Sequence, residues 1–134
     1  MTPDINLSHL TPATRTVPAS VFGEHLAGER DCLGYQVETL PAFARTRIPV
    51  LNPCHFFNEA HYCTLAAWWN LGRREPIYVS GPSGSGKTST AMQFCARLGI
   101  PVVSVTARAR MDRRELLGHW ALQGGETRWI DGPA

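Results

Sequence analysis

The chain has 134 residues, 43% hydrophobic and 18% charged, a balance that excludes an intrinsically disordered chain and suits one modest domain with a real core. Its net charge of +2 is too small to mark a nucleic-acid binder, and no apolar run reaches membrane-spanning length. The N-terminus lacks a basic stretch followed by an apolar one, so it does not read as a secretory signal.

Residues 1–20, rich in Thr, Pro and Ala, read as a flexible arm. An extended N-terminal segment follows over 21–57. It opens with a short helix over 21–27 that Gly28 breaks, and Pro41, Pro49 and Pro53 predict extended rather than helical chain after it. Val37, Leu40, Phe43, Ile48, Val50 and Leu51 are expected to lie against a neighbouring surface. The last stretch, 58–134, alternates helix and strand signals. Asn58 can cap a helix, with Glu59 well placed in its first turn and Gly72 as its stop. Trp68 and Trp69 in that helix read as packing residues, since nothing basic is interleaved with them to suit stacked bases.

Residues 76–80 predict a first core strand, and 88–98 a helix with Gly99 as its cap. Between them, Gly81-Pro82-Ser83-Gly84-Ser85-Gly86-Lys87-Thr88 fits the phosphate-loop pattern G-x-x-x-x-G-K-S/T at every specified position. Strand–loop–helix context is what separates a working phosphate loop from a chance match. Glycines let the backbone turn tightly and approach an anion, successive N–H groups form a nest, and the helix N-terminus adds its dipole. In this reading Gly81, Pro82, Ser83, Gly84, Ser85, Gly86, Lys87, Thr88 and Ser89 hold ATP. Lys87 reaches the β- and γ-phosphates and the Thr88 hydroxyl ligates Mg²⁺, so these two are the catalytic candidates. The bland reading is a glycine-rich turn with a solvated lysine, which leaves the strand–helix context without a purpose.

Residues 101–106 predict a second buried strand, and strand–helix–strand implies a parallel βαβ unit. A short helix over 112–117 ends at Gly118. Residues 120–123 and 127–130 read as a hairpin turned by Gly124-Gly125. The expected fold class is therefore α/β, a parallel sheet with flanking helices, incomplete at the C-terminus, plus a β-hairpin. A phosphate-loop hydrolase also needs an acidic residue ending another core strand, to hold Mg²⁺. No apolar strand ending in Asp or Glu follows the loop, and Asp131 closes only the hairpin. The chain is thus expected to be cut off before its catalytic half, and to bind ATP without turning it over alone.

Cys32, Cys54, Cys63 and Cys95 show no paired spacing, which beside a phosphate loop points to a reducing, cytoplasmic setting. Cys95 is expected in the core. Cys54, His55, His61 and Cys63 tempt a zinc reading, but their spacing matches no standard metal pattern, so packing is preferred. Arg108, Arg110, Arg113 and Arg114 read as a solvated basic face.

Several of these stretches together resemble a family. Val21-Phe22-Gly23, the run Leu40-Pro41-Ala42-Phe43-Ala44-Arg45-Thr46-Arg47-Ile48-Pro49, Arg97-Leu98-Gly99-Ile100-Pro101, Glu115-Leu116-Leu117-Gly118 and Thr127-Arg128-Trp129-Ile130-Asp131-Gly132-Pro133 are similar in order and content to the AAA+ ATPases of the MoxR group. Within it they are similar to the CobS-like small subunits of aerobic cobaltochelatase and dynein-related AAA domains. The resemblance spans residues 21–134. It implies a P-loop NTPase fold of AAA+ type, phosphate contacts from Gly84 through Thr88, and Mg²⁺ at Thr88. It also implies an adenine bordered by residues 48–51, and a hairpin facing the interior of a homo-oligomeric ring or a partner. The partner implied is a protein, such as a chelatase or a von Willebrand A-type domain protein. Walker B, sensor residues, an arginine finger and a helical lid have no counterpart in these residues.

Three functions stay open on the sequence. One is an ATP-driven remodelling subunit. Another is a non-catalytic nucleotide-binding or assembly module. The third, a nucleotide kinase or GTPase-type switch, is the weakest, since no guanine-reading N-K-x-D segment is present.

Overall fold

A computed structural model describes residues 12–72 and 75–133, which fall into two units, Met1–Val102 and Val103–Ala134. In the first unit, β1 (Thr14–Val17) pairs antiparallel with β2 (Cys32–Tyr35), with Val17 opposite Cys32. Alternation along β2 buries Cys32 and Gly34 and leaves Leu33 outside, as the two-residue period of a strand demands. Between the strands, two 3-10 turns (Ala19–Phe22 and Glu24–Leu26) place Ala19, Phe22 and Leu26 in the core. The Asp31 carboxylate fixes the first turn by accepting from the Ala19 N–H at 3.0 Å.

This corrects two expectations. Of the arm expected over 1–20, residues 14–17 are a strand, and Val17 and Ala19 are buried; residues 1–11 lie outside the described residues. Composition suggested an arm, but burying two apolar side chains against the core outweighs it. The single helix expected over 21–27 is instead a pair of 3-10 turns.

Residues 36–52 are less extended than the prolines predicted. A 3-10 turn (Val37–Thr39) and α1 (Ala42–Arg45) form there, with Pro41 at the N-cap of α1. Proline at a helix start sacrifices no intrahelical bond, so Pro41 opens a helical turn rather than forbidding one. Leu40 and Ala44 are buried, but Phe43 and Val50 stand out in solvent.

Helix α2 (Glu59–Asn70) begins where expected. The Asn58 side chain accepts from the Ala60 N–H at 3.0 Å, and Gly72, at φ +60°, follows its last turn. Its end is tied to β2. Trp69 Nε1 donates to the Leu33 carbonyl, Asn70 Oδ1 accepts from the Leu33 N–H at 3.1 Å, and Asn70 Nδ2 donates to the Asp31 carbonyl at 2.7 Å. Trp69 is thus a packing residue, as read. Asn58→Ala is expected to cost about 1 kcal/mol, the ordinary loss of an N-cap, read as a lower urea midpoint with an unchanged slope.

Helix α3 (Lys87–Leu98) buries Gln93, Phe94, Arg97 and Leu98. It ends in a Schellman turn: Ile100 N–H reaches the Cys95 carbonyl at 2.9 Å and Gly99 N–H the Ala96 carbonyl at 3.3 Å. Phe22 joins the pieces. Its ring meets Phe57, Tyr62 and Phe94 at centroid distances of 5.3, 4.9 and 5.4 Å. One side chain therefore links the N-terminal turns, the segment before α2, α2 itself and α3.

The expected strands at 76–80 and 101–106 take no ladder partner among the described residues, and the parallel βαβ pairing is not formed there. Tyr78 is 91% exposed, the opposite of a core strand. Parallel strands hold only where neighbouring strands pair their edges, and 76–80 has no such strand among the described residues.

In the second unit, α4 (Arg113–Leu117) ends at Gly118 and a hairpin follows, β3 (Gly118–Gln123) and β4 (Glu126–Asp131). Gly124 and Gly125 have φ of +62° and +86°, the paired positive angles of a type I′ turn. Trp120 and Trp129 sit opposite each other, rings edge to face at 5.4 Å. The hairpin and short helix stand as read, each extended or shifted by a residue or two. Arg108, Arg110, Arg113 and Arg114 are exposed, as expected.

Candidate functional site

Residues 81–86 form the loop ahead of α3. Gly84 (φ +77°) and Gly86 (φ +81°) both lie in the left-handed region, where a side chain would be strained. A Cβ at either would meet nothing within 4 Å, so the requirement is one of backbone angle and not of space. The Ser85 N–H closes the turn on the Pro82 carbonyl at 3.3 Å. Gly86 is the N-cap of α3 and supplies no side chain to cap it, so the first-turn N–H groups stay available to an anion.

Lys87 organises this loop. Its ammonium donates to the Gly81 carbonyl at 2.9 Å, the Pro82 carbonyl at 2.6 Å and Ser85 Oγ at 3.2 Å. A single cation thus sits inside the curve of the loop and holds three of its oxygens. Thr88 and Ser89 follow in the first turn of α3 with exposed side chains, and Pro82 and Ser83 are exposed too. The structure therefore brings Gly81, Pro82, Ser85 and Lys87 together and leaves Thr88 at the open rim. The uncapped first-turn N–H groups of α3 and the Lys87 ammonium are the donors this loop would offer a phosphate chain. Thr88 would add a hydroxyl to a Mg²⁺ ion otherwise held by phosphate oxygens and water.

A cleft of about 530 Å³ runs from the loop to α2. His61, Thr64 and Leu65 of α2 line it on one side, and Ile77, Tyr78 and Val79 on another. Residues 48–51, which the family resemblance placed beside the base, are not among its walls. That segment is bound elsewhere. Gln93 Oε1 accepts from the Asn52 N–H at 2.8 Å and Gln93 Nε2 donates to the Val50 carbonyl at 2.9 Å. Arg97 donates to the carbonyls of Asn52 at 3.1 Å and Val21 at 3.3 Å, and lies 5.0 Å over the Phe57 ring. Burial lowers the pKa of Arg97 from its ordinary value, and these acceptors offset the loss of water.

Sequence reasoning missed Gln93, Arg97, Thr64 and the place of Tyr78. One signal was present. Gln93 and Arg97 are four apart on the apolar stripe that carries Phe94 and Leu98, and 61, 64 and 65 share one helical face.

The zinc temptation dissolves into separate contacts. His55 sets its ring against Phe57 at 4.7 Å, with burial and then the Arg97 charge pushing its pKa down. Cys63 Sγ donates to Glu29 Oε2 at 3.2 Å, Cys54 is exposed, and His61 lines the cleft. No group of three or more His, Cys, Asp or Glu gathers among the described residues. Cys95, expected in the core, is only half-buried, and burial still pushes its thiol up. Its neighbours Phe94 and Leu98 take the inner face of α3 instead.

Residues 76–134 match the AAA domain family, dynein-related subfamily. This part of the chain is similar to that family. The AAA match begins at Pro76, so the loop, α3 and the hairpin lie inside it and α2 lies before it. The chain is 41% identical over 58 residues to "Protein NorQ" of Paracoccus denitrificans, covering 43% of this chain and 22% of that protein. It is 35% identical over 60 residues to "Protein CbbQ" of Hydrogenophilus thermoluteolus, covering 45% and 22%. It is 37% identical over 54 residues to "Gas vesicle ATPase GvpN1" of Halobacterium salinarum, covering 40% and 15%. The chain therefore spans less than a quarter of the length of each. No solved structure matches it significantly. Among the described residues, no helix is long and apolar enough to cross a membrane.

Proposed function

We propose that residues 58–134 are the nucleotide-binding part of a MoxR-type AAA+ ATPase that binds ATP with Mg²⁺. In the complete protein, hydrolysis between neighbours in a homo-oligomeric ring drives the remodelling of a protein partner. A metal-chelatase subunit of the CobS-like kind or a von Willebrand A-type domain protein is the partner class to try first. The observation that carries the reading is the Lys87 ammonium held by three loop oxygens at the uncapped start of α3. The family of 76–134 and a relative named as an ATPase support it.

Each residue has a distinct task. The loop N–H groups and the start of α3 bind phosphate oxygens, and Lys87 balances their charge. Thr88 offers a hydroxyl to Mg²⁺. Turnover needs more than this, because a carboxylate must hold the ion and a further group must orient water. These 134 residues alone are therefore expected to bind ATP and release no phosphate.

Thr88→Ala tests the assignment. Affinity for ATP with Mg²⁺ is expected to fall about tenfold or more, while affinity in excess chelator barely changes, since a well-held metal ligand is worth that much. Calorimetry in the two buffers reads the difference. Equal losses in both would remove Thr88 from the metal site.

A further inference from the structure

We propose that His55 is an acid-sensitive latch. Neutral, it lets residues 50–57 lie closed against α3; protonation of its ring opens that segment.

A few polar contacts hold the segment to α3. Gln93 and Arg97 bind it at Val50 and Asn52, and Arg97 lies over the Phe57 ring. The Asn52 carbonyl is the shared point. It accepts from Arg97 Nη2 at 3.1 Å and from the His55 N–H at 3.2 Å, and Asn52 Oδ1 accepts from the Cys54 N–H at 3.0 Å. His55 therefore sits in a turn whose closing oxygen also bonds a buried guanidinium. Its ring packs edge to face on Phe57, the same ring that Arg97 covers.

One atom of the His55 ring is unsatisfied. Nε2 is buried and has no hydrogen-bond partner among the described residues. A neutral imidazole tolerates this, with its proton on Nδ1 and a lone pair at Nε2 left unfilled. An imidazolium does not. It carries N–H donors at both nitrogens, so it would bury an unpaired N–H and set a second positive charge against Arg97. Both costs have the same sign. Both fall on the closed segment alone, since an open one gives His55 to water.

The surrounding charges do not offset them. Arg97, from α3, is the charge that acts on His55. Glu59, the first residue of α2, is exposed, and its charge acts on Cys63. His25, from the turn Glu24–Leu26, meets the Phe57 carbonyl through Nε2 at 2.8 Å and donates there whether neutral or charged. Protonating His25 therefore breaks no bond. Burial first, and then the Arg97 charge, hold the His55 pKa below its ordinary 6.5. An open segment, with the ordinary pKa, takes up the proton first. Closure is thus at full strength above pH 6.5 and weakens as the pH falls from there towards the lowered value.

Hydrogen exchange at the Asn52 backbone amide, which donates to Gln93 Oε1, reads the opening on the full chain. It is compared between about pH 7.5 and about pH 5.5, corrected for the direct effect of pH on exchange. Protection is expected to drop several-fold towards acid in the natural chain. His55→Gln and His55→Phe take up no proton there, and His55→Phe also keeps an aromatic ring against Phe57. Both should hold the same protection at the two pH values. Proton NMR of the His55 ring should show it still neutral below pH 6.5 in the folded chain. An acid loss as large in either folded variant as in the natural chain would overturn the inference. So would a His55 that titrates at or above 6.5 while the chain is folded.

Discussion

Lys87→Ala is expected to abolish measurable ATP binding, a loss of at least about a hundredfold, while leaving the protein folded. The size follows from two roles in one side chain. In the proposed site Lys87 would be the cation nearest the phosphates, and a close, partly desolvated charge pair contributes several kcal/mol. It also holds Gly81, Pro82 and Ser85 in the curve of the loop. Without it, two carbonyls would face an anion with nothing between them. The fold should survive because the side chain packs into no core cluster, and the buried residues of α3 begin at Gln93. Calorimetry reads the affinity and circular dichroism the fold. ATP binding of undiminished strength in a folded Lys87→Ala protein would remove the loop from the nucleotide site.

Phe22→Ala is expected to be the most destabilising single substitution, at about 3–5 kcal/mol. Phe22 is 2% exposed and touches three other rings, one each from the segment before α2, from α2 and from α3. Truncation leaves a cavity lined by stiff aromatic side chains, which cannot collapse into it. A loss of that size takes much of the 5–15 kcal/mol typical of a domain. Thermal or urea unfolding reads it, and Phe22→Leu should cost clearly less. Equal stability of Phe22→Ala and the natural chain would mean that this ring cluster is not the core.

The features legible in the sequence share one property: their cause lies within a few residues. The loop ahead of α3 holds Gly84 and Gly86 at left-handed angles and is followed at once by a helix start. Asn58 caps α2 two residues on, and Gly99 closes α3 by bonds spanning a single turn. Gly124-Gly125 alone makes a type I′ turn, and the hairpin register follows from it. The similarity to the AAA domain family over 76–134 rests on the same local runs.

What only the tertiary structure decided depends on contacts between residues far apart in the chain. Val17 is a strand residue because Cys32 lies opposite it, and nothing near residue 17 announces that partner. Gln93 and Arg97 are buried because backbone groups 41 and 45 residues away, at Asn52, need partners that water cannot supply there. The strand signals at 76–80 and 101–106 led to a parallel sheet, yet a strand exists only when another chain segment accepts its hydrogen bonds. His61 was legible only as a doubtful metal ligand. Its place on the cleft wall is set by the burial of Tyr62 and Ala66, which turns another face of α2 towards the cleft.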